Sequence, residues 1–425
     1  MNSIEELNKI ANVQKNNGYY KTRFGSLPCE WKLVKLSEII EKLDAGVSVN
    51  SEDRPAEDEE YGVLKTSAVN NGKFIPTENK LIKEDDIKRA KLNPVKGSII
   101  ISRMNTPELV GEIGYVETNY KNLFLPDRLW QTTFRGKVSG KWLANILILP
   151  FFKKQIENIA TGTSNSMKNI SKNAFLSLEV PFPSFHEQQK IAEILSTWDK
   201  AIELKEKLIE QKKEQKKGLM QKLLTGEVRL PGFNDKWIKV EFGKVLKFLK
   251  KEPVKNPQDY YLLTVKLHLK GVDATDKKPN VTTNGRPYYL REPNELLIGR
   301  QNFHNGGIGI VPEDMKNYVA SNAISSVGAI KGNLRFYYYY LSNANFYKRI
   351  EHIIGGTGQK EISESMMKKL KLFIPQSEKE QTAIANVLGM VDKEIDLLEE
   401  ELLQLKQQKK GLMQLLLTGK VRVKV

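Results

Sequence analysis

Among 425 residues there is one cysteine, Cys29. No intrachain disulfide can form from it, and no cysteine cluster is available to zinc. Histidine is nearly as scarce: His186, His268, His304 and His352 have no ligand-like spacing. Long apolar runs are missing too. The longest predominantly apolar stretch, residues 144–152, is too short to cross a bilayer and contains Pro150. The opening MNSIEELNKIANVQKNNGYY is polar and has no signal-peptide core. These absences predict a cytoplasmic chain. Catalytic motifs are equally hard to find. Gly306-Gly-Ile-Gly and Gly355-Gly-Thr-Gly match neither the dinucleotide fingerprint nor the phosphate-binding loop, and a hairpin is the simpler reading. The methyltransferase tetrad Asn-Pro-Pro-aromatic is absent; Asn93-Pro94-Val95-Lys96 does not replace it. The carboxylates Glu399–Glu401 lie inside a helical pattern and read as a solvated face.

What is present in excess is positive charge: 67 Lys and Arg against 51 Asp and Glu, a net +16. That balance favours a polyanionic partner, nucleic acid first and a membrane surface second. A chain this long supports two or three domains.

It is also built on a repeat. Residues 215–229 read QKKGLMQKLLTGEVR and residues 408–422 read QKKGLMQLLLTGKVR, differing only at Lys222/Leu415 and Glu227/Lys420. Such a long offset is no solenoid period and fits a duplicated domain-plus-helix module. Upstream of each copy runs an apolar seam with steps of three and four. It comprises Ile191, Leu195, Trp198, Ile202, Ile209, Leu219 and Leu223 in the first, and Ile384, Leu388, Val391, Ile395, Leu398, Leu402, Leu405, Leu412 and Leu416 in the second. Each helix opens on Ser-x-x-Glu (Ser184/Glu187, Ser377/Glu380), read as a capping box, and closes on Thr225-Gly226 or Thr418-Gly419. Lys205, Lys212 and Lys216 interrupt the first seam, and their stems are expected along it with the charges in water. Neither helix has another obvious apolar partner, so they are expected to pair with each other, antiparallel.

Both halves follow one plan. Residues 1–26 read as a short helix around Ile4, Leu7 and Ile10 followed by a basic linker; residues 27–183 and 231–375 read as two domains, and 184–230 and 376–425 as the helices with a C-terminal tail. Leu27-Pro28…Trp31 and Leu230-Pro231…Trp237 open the domains, the first continuing as a short helix to about Leu43. Strands ending at Arg103 and Arg300 match, as do helices over 141–159 and 334–350 and the segments 170–183 and 362–375. The loops between these shared pieces differ, as expected where loops carry function and elements hold them. Polar and basic residues crowd the strand ends. In the first domain they are Lys65, Thr66, Ser67, Arg103, Asn105, Arg128, Gln131, Ser164, Asn165 and Lys168. In the second they are Lys266, His268, Arg300, Gln301, Asn302, His304, Asn305, Asn322, Gln359 and Lys360. Arg, Asn and Gln read guanine and adenine edges bidentately, while Lys, Ser and Thr suit phosphates. The matched Arg103 and Arg300 stand out, though a duplicated residue can equally serve the fold.

The paired Glu-Gln…KKGLMQ-x-LLTG helices (Lys216–Gly226, Lys409–Gly419), the Leu-Pro…Trp openings and the Ile-Ser…Pro endings resemble type I restriction–modification specificity subunits, from about residue 20 onward. The resemblance implies an α+β chain: two similar mixed α/β target-recognition domains separated by two long helices forming an antiparallel coiled coil. Each domain would read one half of an asymmetric, bipartite double-stranded DNA target. Two modification subunits, adenine methyltransferases carrying S-adenosylmethionine, would join it, with restriction subunits that use ATP and Mg. This chain would bind no cofactor or metal and catalyse nothing. Two other readings stay open: the recognition subunit of a two-gene fused methyltransferase–nuclease, and a coiled-coil scaffold that binds no DNA.

Overall fold

The computed structural model describes residues 18–164, 167–281, 285–351 and 361–424. The helix expected around Ile4–Ile10, the stretch Gly355–Lys360, and residues Asn165, His352, Gln359 and Lys360 lie outside the described residues. The chain divides into two compact units, Met1–Leu204 with Leu402–Val425, and Lys205–Glu401. No helix among the described residues is long and apolar enough to cross a membrane.

Unit 1 is organised around a six-stranded sheet in the order Ile40–Ala45, Leu129–Phe134, Ile99–Ser102, Ile113–Tyr115, Gly72–Phe74, Val69–Asn70. Unit 2 repeats its first four places: Leu246–Phe248, Ile324–Ala329, Leu296–Gly299, Ile308–Ile310. The central strands are apolar on both faces because both faces are covered; Ile99, Ile100 and Ile101, like Leu296, Leu297 and Ile298, are fully buried. The opening of each domain pairs antiparallel with its ending, Lys32–Lys35 with Glu179–Phe182 and Trp237–Glu241 with Lys371–Pro375.

Several boundaries differ from expectation. Among the described residues, the segment just before Leu27 is not a linker. Tyr19–Thr22 and Gly25–Pro28 form a hairpin, turned at Gly25 with φ +95° and Thr22 Oγ1 accepting from the Phe24 amide. The helix expected to reach Leu43 is one turn, Leu36–Ile39, before the strand Ile40–Ala45 begins. Two expected long helices are broken: Pro150, lacking an amide donor, starts a new helix after Gly140–Leu147, and Asn343 caps a new one after Leu334–Ser342.

The two long helices are Phe185–Leu223 and Glu378–Leu417. Every expected seam residue is buried or half-buried. In unit 2, as the first member of an ion pair climbs through Lys205, Lys212 and Lys216, its partner descends through Glu401, Glu394 and Asp392, so the pairing is antiparallel. In unit 1, Lys409 meets Asp199 at 2.6 Å. Two expectations are corrected. The seam lysines do not simply reach water: Lys205 and Lys212 each lie 2.7 Å from a carboxylate of the facing helix. Glu401 and Glu394 are those acceptors. Glu399–Glu401 are exposed, as a solvated face should be, with Glu399 also pairing with Lys213 at 2.8 Å. Nor do the helices lack other apolar partners. Ile191, Leu195, Met413 and Leu416 share one core with Trp31 and Trp142; Leu223, Ile384 and Leu388 share another with Phe242 and Tyr337.

Ser184 Oγ accepts from the Glu187 amide as a helix cap should, but the capping-box role of the glutamates is corrected. Glu187 is 1% exposed and accepts from Arg422 Nε at 2.6 Å, Arg422 Nη2 at 3.0 Å and Trp31 Nε1 at 3.0 Å. Glu380, 0% exposed, accepts from Arg229 Nε at 2.6 Å, Arg229 Nη2 at 2.7 Å and Trp237 Nε1 at 3.4 Å. Both arginines belong to the repeat, just beyond its Thr-Gly. Gly226 and Gly419 take φ +75° and +69°, and a Cβ there would meet the Trp237 ring at 3.3 Å or Pro28 Cδ at 2.5 Å. The neighbouring glutamines are duplicated as well. Gln188 accepts from the Ser139 amide and Gln381 from the Asn333 amide, each at 3.0 Å, and those residues cap the domain helices.

Arg229→Ala strips Glu380 of its guanidinium and leaves a buried carboxylate with one long indole bond. Unit 2 is expected to lose about 3–5 kcal/mol, read by urea unfolding together with hydrogen exchange over residues 371–388. Equal protection in the variant and the parent would show that the clasp does not hold the unit.

Candidate nucleic-acid interface

The candidate residues fall into local groups. In unit 1, Lys65, Thr66 and Ser67 follow the strand Gly62–Leu64, with Thr66–Ala68 in a 3-10 turn. Glu78 takes Ser67 Oγ at 2.7 Å and lies 3.7 Å from Lys65. A second group is built on the hairpin Thr161–Ser164/Met167–Asn169, whose second strand pairs with Met104–Asn105 so that Asn105 lies opposite Lys168. Asn105 Nδ2 donates to Ser102 Oγ at 3.2 Å, and Lys168 Nζ to the Gly162 carbonyl at 3.1 Å. Arg128 is exposed on the turn between Leu123–Phe124 and Leu129–Phe134.

In unit 2 the loop carrying Lys266 and His268 is bonded to the turn carrying Asn302, His304 and Asn305, through His268 N to Asn305 O at 2.8 Å and Leu269 N to Gly306 O at 3.0 Å. His268 and Leu269 hold φ near +60° to make that approach, and a Cβ on Gly306 would lie 3.1 Å from Leu269. The Gly306 run is therefore a packing site for this loop. Lys266 pairs with Asp273 at 3.0 Å, and Asn305 Nδ2 lies 3.1 Å from His304 Nε2. Gln301 follows Arg300 and is half-buried; Asn322 is exposed on the turn before Ile324.

Three candidates serve the scaffold. Gln131 is 6% exposed, and its amide is bonded to the Val95 amide, Ser98 Oγ and the Asn93 carbonyl, so its expectation as a base reader is corrected. Arg103 Nε donates to the Asp127 carbonyl at 2.7 Å and Nη1 to Asn169 Oδ1 at 3.3 Å. Arg300 Nε lies 2.9 Å from Glu361, an ion pair without hydrogen-bond geometry. Asn169 and Glu361 each precede the Ile of an Ile-Ser pair, and those isoleucine amides donate to the Arg103 and Arg300 carbonyls. The matched arginines thus fasten each domain's ending to its central strand. Among the described residues no three His, Cys, Asp or Glu could share a metal ion.

Sequence reasoning missed Arg291. It is 3% exposed, and its guanidinium donates to Ser326 Oγ at 2.7 Å and to the carbonyls of Ser321 and Ile324 at 3.1 and 2.8 Å. Burial pulls its pKa down to about 10. No pattern marks it in the sequence, since one arginine in a variable segment looks like any other.

Residues 28–213 and 234–407 match the family described as type I restriction modification DNA specificity domain. The chain belongs to that family. Both copies of the specificity domain begin just ahead of the clasp tryptophan and run into a long helix. Among similar proteins is the putative type I restriction enzyme MjaX specificity subunit of Methanocaldococcus jannaschii, 27% identical, with 98% of this chain and 99% of that one aligned. The EcoEI specificity subunit of Escherichia coli is 26% identical over 42% of this chain and 30% of its own length. The fold is that of the S subunit crystal structure from M. genitalium, TM-score 0.60 at 17% identity, covering 95% of this chain and 98% of that one. A chain from a structural study of type I R-M complex assembly aligns with TM-score 0.54 at 15% identity, covering 93% and 99%.

The specificity domains separate bonded from free arginine in a measurable way. Arg103→Ala is expected to lower the stability of unit 1 by about 1–2 kcal/mol, and Arg128→Ala to change it by no more than about 0.5 kcal/mol. Thermal unfolding of the two variants decides; a neutral Arg103→Ala would free that side chain for DNA.

Proposed function

We propose that this chain is the DNA-reading specificity subunit of a type I restriction–modification complex. Each unit reads one half of a bipartite, asymmetric duplex target. The reaction belongs to other polypeptides: two modification subunits that hold S-adenosylmethionine and methylate adenine, and restriction subunits that use ATP and Mg. What carries the reading is one duplicated frame bearing different polar side chains at the same strand ends, on a chain of net +16.

The mechanism is a division of labour. Excess positive charge attracts duplex DNA without regard to sequence, releasing counterions, so affinity falls steeply with salt. Exposed Asn, Arg and Lys on the loops then discriminate bases and grip phosphates. Because both units belong to one chain, binding by one raises the effective concentration of the other. The long helices pass from one unit into the other and set the separation of the half-sites. Base flipping by the partner's methyltransferase is served by DNA held, and distorted, at both half-sites.

Two measurements test this. The full chain should bind random duplex at low salt with a steep negative dependence of log affinity on log salt; no binding there would leave only a protein-binding scaffold. Inserting four residues at facing positions of both helices adds about 6 Å, near two base-pair steps of about 3.4 Å. Footprinting on spacer variants should show the preferred half-site spacing longer by about two base pairs, with the half-site sequences unchanged. Unchanged spacing rejects the helices as the ruler.

A further inference from the structure

The strands Leu129–Phe134 and Ile324–Ala329 hold the same place in their sheets, each between the central strand and the first one. Leu129 faces Ser102, and Ile324 faces Gly299. The next residues on the central strands, Arg103 and Arg300, donate their amides to the carbonyls of Arg128 and Ala323, each at 3.0 Å. The turns entering these strands, residues 125–128 and 320–323, are therefore the same piece of frame carrying different residues. Each is tied from behind. In unit 1, Leu125 is fully buried and its carbonyl accepts from the Val47 amide, while Asp127 accepts from Arg103 Nε and, at 2.5 Å, from Ser48 Oγ. In unit 2, the buried Arg291 fans one nitrogen across the carbonyls of Ala320, Ser321 and Ile324.

That arrangement needs a reason. Arg291 is 3% exposed beside Ser326, which in turn bonds the buried Glu295, and an uncharged side chain of similar length there would carry no charge-desolvation penalty. Its guanidinium supplies the donors that fix the turn's carbonyls. A turn held this firmly presents its tip in one orientation. At each tip one side chain is exposed, Arg128 in unit 1 and Asn322 in unit 2, and neither has a hydrogen bond or ion pair among the described residues. These are the side chains that fit guanine O6/N7 and adenine N6/N7 with two bonds each.

We propose that this turn is the base-reading element of each unit: Arg128 reads a guanine in one half-site, Asn322 reads an adenine in the other, and Arg103 and Arg291 are the residues that position them. The proposal rests on the DNA-reading function above. Selection of bound sequences from a randomised duplex pool by the full chain tests it, with Arg128→Ala, Asn322→Ala and Arg291→Met beside the parent. Arg128→Ala should lose discrimination at one guanine by about ten- to a hundred-fold, and Asn322→Ala at one adenine of the other half-site, with all other positions intact. Arg291→Met should relax the same adenine as Asn322→Ala, while the first half-site and affinity for unrelated duplex stay at parental levels. A purely structural arginine would instead weaken every position read by unit 2 in step with a lowered melting temperature. If the parent selects a bipartite sequence and both exposed variants select it with equal stringency, the turn is not the reader and the DNA-reading function stands. If the parent selects no sequence, both fall.

Discussion

Two buried carboxylates set the terms on which this chain folds. Glu187 and Glu380 lie in the first turn of their helices with almost no solvent exposure. An ionised carboxylate out of water is tolerated only with a well-aligned opposite charge and further hydrogen bonds. Each receives a two-nitrogen grip from an arginine and a bond from a tryptophan indole. The arginine never comes from the same helix. Arg422 follows the second helix and serves the first; Arg229 follows the first and serves the second. Each helix start is thus completed by the other copy of the repeat, a condition that only oppositely directed helices meet. The near-identity of the two repeat segments is the trace of that condition: one Thr-Gly-x-Val-Arg ending must fit one Trp and Glu pair twice.

The helices are held unevenly along their length. At the ends, large side chains join the domain cores, where burial is worth roughly 25 cal/mol per Å² of apolar surface. In between, the buried apolar residues are Ile202, Ile209 and Ile395, and the lysine–carboxylate pairs there remain partly exposed. Pairs of that kind contribute about 0.2–1 kcal/mol each. Stability therefore resides at the ends, and the ionic middle chiefly selects direction, since a parallel arrangement in register with the repeat would place Lys205 and Lys212 opposite Leu398 and Leu405, and Lys216 opposite Lys409. Tyr339 adds a tie to the second end. Its hydroxyl donates to Asp392 at 2.7 Å, and burial together with that carboxylate pushes its pKa well above the usual phenol range.

The frame was legible because it obeys local rules twice. Periodicity marked the long helices, Thr-Gly marked their ends, and the duplicated Trp, Ile-Ser and Pro marked the pairing of each domain's opening with its ending. What escaped was tertiary. Glu187 matched the spacing of a capping box, and no local pattern says that its carboxylate turns inward to an arginine 235 positions away. Lys205 and Lys212 broke an apolar seam, yet their partners sit on a helix distant in sequence. Gln131 lies on a strand whose neighbours cover it completely, a fact of packing rather than of residue type. The surface candidates were chosen by chemistry at strand ends. Several of them do gather, as His268 does with Asn305, because the loops that carry them bond backbone to backbone.

The same chemistry plays opposite parts within one domain, and burial decides which. Arginine at position 103 is bonded to a carbonyl and an amide oxygen; arginine at position 128, on the turn it supports, has no partner among the described residues. The first is tied into the frame and resists change, since removing it leaves acceptors unpaired. The second is constrained by nothing inside the protein. A frame that confines its obligations to buried donors leaves the exposed tips free to vary at little cost in stability. Hence two copies of one fold can keep their clasps, caps and strand order while their loops differ throughout, and a change of target need not pass through a less stable intermediate.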